Sequence, residues 1–223
     1  MLGNKKLMTK EKSKTKKQQE IKDDLPLTLN LSDLSGASQL APRITGIYGD
    51  INEEKCSETL YSLLMFYEER EIITIDEATE EETTKILPID FYISTNGGVA
   101  TEMFALYDVI RSVREECPIH TYGLGKVMSA GVLLLASGTK GERRMGKHCR
   151  VMIHGVISGQ HGHLHDVENE FEEAKITQKL YIKALSEETN MTERYLRKLV
   201  GRKTNVYIDA EEAKELGIID LII

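Results

Sequence analysis

Gly123-Leu-Gly-Lys-Val-Met-Ser129-Ala-Gly131, running on into Val132-Leu-Leu-Leu-Ala136, is the most informative stretch of the chain. A strand ending in glycines, a small-residue corner carrying a serine, and then a helix apolar on every side predict a buried helix with Ser129 at its N-terminus. The N–H groups at such a start, together with the positive end of the helix dipole, can stabilise an oxyanion on an attacked carbonyl, so the position suits a nucleophile. Serine is also a common helix N-cap, and these residues alone leave both readings open.

On either side lie two further segments that bear on chemistry. Ser94-Thr-Asn-Gly97-Gly98-Val99 joins a strand to a helix, with two glycines where the backbone turns tightly and exposes N–H groups. It reads as a second oxyanion donor or as a simple turn. His154 closes the strand-like Arg150-Val-Met-Ile-His154 and precedes Gly155, which puts its imidazole at a strand C-terminus, where open α/β sheets carry their sites. A histidine within reach of a serine hydroxyl can take its proton near neutral pH.

From Arg43 onward, short β-branched or apolar runs alternate with amphipathic segments, the pattern of βα units around a largely parallel sheet. The runs Ile44–Ile51, Ile89–Ser94, Ile119–Leu124, Arg150–His154 and Ile218–Ile222 read as strands. Apolar residues at three- and four-residue steps predict helices over Val99–Cys117, over Cys56–Tyr67 (Cys56, Leu60, Leu63, Leu64, Tyr67), and after Asp166 (Val167, Phe171, Ala174, Tyr181, Leu185). Asp209 with Glu212 forms a capping-box-like start to a last helix, which Gly217 ends. The fold class is α/β.

Composition bounds the rest. The chain has 223 residues, 40% hydrophobic and 29% charged, as in an ordinary globular protein, and its longest apolar run, Gly131–Ala136, is far too short to span a bilayer. A net charge of -7 argues against a nucleic-acid surface over the body. Cys56, Cys117 and Cys149 show no CxxC spacing and suit buried thiols in a reducing compartment, with the cytoplasm as default. Residues 1–42 read as a disordered or processed extension, because the first 22 hold eight lysines and few apolar residues and fit neither a secretory signal nor a transit peptide. Residues 43–223 form the expected domain. Within it, Asp76–Glu82 has five acidic residues in seven and reads as an exposed loop insertion.

Four stretches, Phe91-Tyr-Ile-Ser-Thr-Asn-Gly-Gly-Val99, Gly125-Lys-Val-Met-Ser-Ala-Gly131, Arg150-Val-Met-Ile-His154 and Tyr207-Ile-Asp-Ala-Glu-Glu-Ala-Lys-Glu-Leu-Gly-Ile-Ile-Asp220, resemble those of the ClpP family in the same order. The resemblance covers about Arg43 to Ile223 and turns the reading of Ser129 toward the nucleophile. It implies a ClpP/crotonase-type spiral with a parallel sheet, flanking helices and a protruding handle. It also implies a serine endopeptidase acting on unfolded polypeptides and short peptides inside stacked heptameric rings, with a separate AAA+ unfoldase using ATP. On this resemblance Ser129 is the nucleophile, His154 the base, and the N–H groups of Gly98 and Ala130 the oxyanion hole. It implies no metal or cofactor, no nucleic acid and no membrane.

The chain departs from that pattern in places. Asn205 stands where the family carries its triad aspartate; its carbonyl can still orient an imidazole but cannot stabilise imidazolium by charge. Asp209 and nearby acids are the alternative third members. The family's pore-loop segment is not recognisable in residues 1–42, and the acidic insertion and the Gly-Lys126-Val-Met context are unusual. His161, His163 and His165 alternate, so on a strand they would share one face, a geometry open to zinc, although the resemblance puts the glycine-rich handle strand there. Lys126 suggests a Ser-Lys dyad, but a place on the approach loop favours a solvent-facing or substrate-lining role. Two rival functions stand beside the peptidase: a weak or inactive ring subunit with a structural role, motivated by Asn205, and a crotonase-like acyl-CoA enzyme, which does not need both Ser129 and His154.

Overall fold

A computed structural model describes residues 41–75, 82–159, 161–202 and 204–223. The lysine-rich extension, residues 1–40, and all but Glu82 of the acidic run lie outside the described residues. Pro42–Ile223 make one unit. In chain order its elements are β1 (Ile44–Ile51), α1 (Glu53–Glu68), β2 (Glu71–Ile75), β3 (Glu82–Ile86), β4 (Ile89–Gly98), α2 (Ala100–Val113), β5 (Ile119–Met128) and α3 (Ala130–Ala136). They continue with β6 (Arg143–Met145), β7 (Arg150–Ile153), α4 (Leu164–Glu188), α5 (Glu193–Val200), β8 (Val206–Ile208), α6 (Ala210–Glu215) and β9 (Leu221–Ile222).

The main sheet runs β1-β4-β5-β6-β9, all parallel, as the alternating pattern implies. Its centre forks. The first half of β5 pairs with β6 through Thr121–Gly123, and the second half pairs with β7 through Lys126–Met128. β8 then joins β7 antiparallel. Helix α3, with all seven residues buried, fills the space beside β4 and β5, and α2 buries Met103, Leu106, Ile110 and Val113 on the same core. Leu64, expected on the inner face of α1, is instead 40% exposed, and Thr59 takes an inner place, donating to the Gly46 carbonyl at 3.3 Å.

Strand boundaries moved where backbone chemistry outweighs side-chain pattern. β4 runs past Ser94 to Gly98, because the glycines stay in register with β1 (Asp50↔Gly97, Ile51↔Gly98) instead of turning. β5 likewise runs past Leu124 to Met128. The last strand starts at Leu221, since Gly217 and Ile218 are used to close α6: their N–H groups donate to Lys214 and Ala213. β2 and β3 pair antiparallel on either side of the acidic run, and because Ile73 and Ile75 are exposed the pair leaves no pattern of buried alternation in the sequence.

A buried ionic cluster ties α2, α4 and the β6–β9 corner together. Glu188 is 2% exposed and accepts from both Arg114 guanidinium nitrogens at 2.8 Å and from the Tyr107 hydroxyl at 3.1 Å, with Lys140 beside it. Arg143, also buried, donates to Asp220 through Nε at 2.8 Å and to the carbonyls of Glu188 and Gly217 at 2.8 Å. Burial alone raises the Glu188 carboxyl, but the Arg114 hydrogen bonds and charge, with Lys140, outweigh it and hold the group below the ordinary 4.5. A depressed folded-state value means that this stabilisation is present above the unfolded value and is lost as pH falls below it. Replacing one member leaves its partners charged and buried. Glu188→Ala should therefore cost about 3–5 kcal/mol in denaturant titrations at neutral pH, and the gap to the parent protein should narrow as pH is lowered below about 4. A loss under about 1 kcal/mol at neutral pH would mean that the cluster contributes little.

Candidate active site

Ser129 joins β5 to α3 with φ 54 and ψ -120, the sole positive-φ residue other than glycine among the described residues. A non-glycine residue held there costs on the order of 1–3 kcal/mol and persists only where its surroundings fix it. Three hydrogen bonds do so. Its N–H donates to Met152 O on β7 at 2.7 Å, and its carbonyl accepts from Val132 N at 3.0 Å and from the Tyr181 hydroxyl of α4 at 2.9 Å. The side chain makes no capping bond to α3, so Ser129 is not the ordinary N-cap that its sequence position also allowed.

The Gly-Gly pair is shaped for closeness. A Cβ on Gly98 would stand 2.1 Å from Ile51 O, and one on Gly97 would stand 2.7 Å from Ser129 Cβ. Both glycines have positive φ, at 98 and 154. No other residue fits this approach of β4 to β1 and to the serine corner.

Gly98, Ser129, Ala130 and His154 line a single cleft of about 470 Å³, with Met103 and Tyr181 among its apolar walls. Four of the five sequence-derived site residues thus share one cavity. Ala130 opens α3, so its N–H has no acceptor within the helix. The fifth, Asn205, is exposed and meets His154 in an adjoining cleft of about 380 Å³. The register explains the meeting: Ile153 pairs with Val206 in the antiparallel β7–β8 ladder, so the next residues outward are His154 and Asn205. His154 therefore borders both clefts. Among the described residues no hydrogen bond joins it to Ser129 or Asn205, and such bonds commonly tighten only around substrate.

Several expectations are corrected. Asp209, an alternative partner for His154, accepts the Glu212 N–H at 3.0 Å as N-cap of α6 and borders neither cleft. Lys126 lies within β5, in register with Arg150, and not on an approach loop; it is half-buried and is not among the residues that line the serine cleft. The three histidines do not alternate on a strand: α4 begins at Leu164, His165 falls in its first turn, and all three are exposed. Among the described residues no group of His, Cys, Asp and Glu can hold a metal ion. Burial pushes the Cys56 and Cys149 thiols up to about 11, so neither offers a thiolate near neutral pH.

A hydroxyl on a strained strand-to-helix corner, N–H groups from a helix start and a glycine strand, and an imidazole in the same cleft are the parts needed for acyl transfer. The family model for Clp protease matches residues 40–223. The chain belongs to the Clp protease family. A curated Clp relative, the ATP-dependent Clp protease proteolytic subunit 2 of Corynebacterium glutamicum, is 29% identical over 206 residues, covering 88% of this chain and 96% of that protein. Clp membership gives the chain a Clp-type peptidase role, and its mostly parallel sheet with flanking helices is consistent with that family's fold. Among the described residues no helix is long and apolar enough to cross a membrane.

Proposed function

We propose that the chain is a serine endopeptidase of the Clp type, with Ser129 as nucleophile, His154 as general base, Asn205 orienting His154, and the Gly98 and Ala130 N–H groups as oxyanion hole. The observation that carries this is the strained backbone of Ser129, a residue whose hydroxyl is left out of helix capping and which lines one cleft together with His154. Strain maintained at a side chain that stabilises nothing else is the mark of a functional constraint. In the reaction, Ser129 Oγ attacks the peptide carbonyl while His154 takes the hydroxyl proton, and the tetrahedral oxyanion sits against the two N–H groups. Collapse breaks the C–N bond as the imidazolium gives its proton to the leaving amine. Water, deprotonated by His154, then releases the acyl group and restores the serine.

The setting belongs to the same proposal. The subunit works in a crotonase-type spiral fold assembled as stacked heptameric rings, fed unfolded polypeptide by an AAA+ unfoldase, in the cytoplasm. Exposed Phe171, Ile176 and Leu180 along α4 support burial of that helix against other copies, and three buried thiols support a reducing compartment. The test is fluorophosphonate labelling read by mass spectrometry. The label should appear on Ser129, and His154→Ala should slow its appearance by at least about 100-fold, because general-base activation contributes that much. A label on another residue, or on Ser129 at an unchanged rate in His154→Ala, would return the weak or inactive ring subunit to first place.

A further inference from the structure

Among the described residues, Tyr181 is the one side chain from outside the serine corner that hydrogen-bonds its backbone. The residue is 6% exposed, in the C-terminal half of α4, and its hydroxyl donates to Ser129 O at 2.9 Å across 52 residues of sequence. The Ser129 carbonyl and the Ala130 N–H belong to one planar trans peptide and point in opposite directions within it. A bond that fixes the carbonyl therefore fixes the direction of the N–H.

We infer that Tyr181 is a positioning residue of the reaction, its hydroxyl setting the peptide plane between Ser129 and Ala130 and so aiming the Ala130 N–H at the oxyanion. The inference rests on the peptidase reading of the cleft. Three observations carry it. The plane belongs to a strained residue, so it relaxes unless held. Among the described residues the Ser129 carbonyl has one donor apart from Tyr181, Val132 N at 3.0 Å, which lies within the same short helix and turns with it. Among the described residues Tyr181 alone anchors the plane to a separate element, and it does so at the wall of the cleft where the oxyanion forms. Burial pushes its phenol above the ordinary value, so it remains a donor at any working pH.

Ring packing and hydroxyl function separate in Tyr181→Phe, which keeps the buried ring and removes the donor. A neutral hydrogen bond is worth about 1 kcal/mol, so kcat should fall roughly 3- to 10-fold with KM unchanged. Affinity for a peptide aldehyde, whose hemiacetal oxygen uses the same N–H groups, should fall by the same factor, while affinity for the uncleavable product peptide stays constant. Rates are taken per Ser129 labelled by fluorophosphonate, so any loss of folded protein is divided out. Unchanged kcat, a raised KM with constant kcat, or a fall in kcat without the matching loss of aldehyde affinity overturns the inference. Such results in an enzyme that still depends on Ser129 leave the parent reading intact. Hydrolysis that survives Ser129→Ala, or a wild type that neither hydrolyses peptides nor takes the label on Ser129, removes both.

Discussion

Ser129→Ala is expected to abolish hydrolysis of short fluorogenic peptides while leaving the protein folded. Removal of a serine nucleophile from a triad elsewhere costs about 10⁶-fold in kcat, because nucleophile, base and oxyanion hole act as one unit. Here the loss should reach the detection limit. The structure adds a second half to the expectation. Ser129 Oγ takes no part in capping α3, and the three bonds that hold the residue all use its backbone, which alanine retains. Melting temperature and oligomeric state should therefore match the wild type. Hydrolysis at the wild-type rate in Ser129→Ala would remove Ser129 as nucleophile. A variant that is inactive because it has unfolded would show instead that the hydroxyl is structural, contrary to the geometry.

Asn205→Ala is expected to lower kcat by about 10- to 100-fold with little change in KM, since the orientation of an imidazole matters mainly in the transition state. The loss is smaller than the roughly 10⁴-fold known for a triad acid, because an amide never supplied charge. Asn205→Asp should raise the rate. The new negative charge favours imidazolium and should move the acidic limb of the pH–rate profile toward higher pH. Asp209 offers no substitute, being committed to the first turn of α6. Counting active sites by the Ser129 label separates lost chemistry from lost assembly. Wild-type kcat per labelled site in Asn205→Ala would show that His154 is held by another group, and the rank of Asn205 as third member would fall.

How much of this could be read from the chain depends on which physical signal each part leaves in it. Strands β1, β4, β5 and β7 and helices α1, α2 and α4 are legible as periodicity, because each buries one face. Small residues and strand ends mark Ser129, Gly98 and His154 only as open alternatives, the resemblance of their stretches to the ClpP family singles out these three and Ala130 as a site, and the cleft brings the four together. β6 is hidden by its arginines: Arg143 lies in the sheet interior only because Asp220 and two carbonyls neutralise it, a pairing 77 residues away in sequence. β8 is three residues long, too short for any period to emerge, yet it is what brings Asn205 alongside His154. Tyr181 was legible as a member of a helical stripe but not as a hydrogen-bond donor. The available signal was that a buried phenol needs an acceptor, without any hint of which one. The alternation of His161, His163 and His165 is not a strand signal, because the segment leads into α4, with His163 at its N-cap position and His165 in its first turn.

The fork in β5 makes fold and site separable events. Its first branch, through β6 and β9, belongs to the body of the sheet, while the second, through β7 and β8, ends in an edge strand of three residues and carries both His154 and Asn205. The proposed site residues His154 and Asn205 thus depend on the pairings of β5 with β7 and of β7 with β8, which the first branch does not share. Hydrogen exchange of the β7 and β8 amides, followed beside that of β6 and β9, reports whether the second branch opens independently of the first.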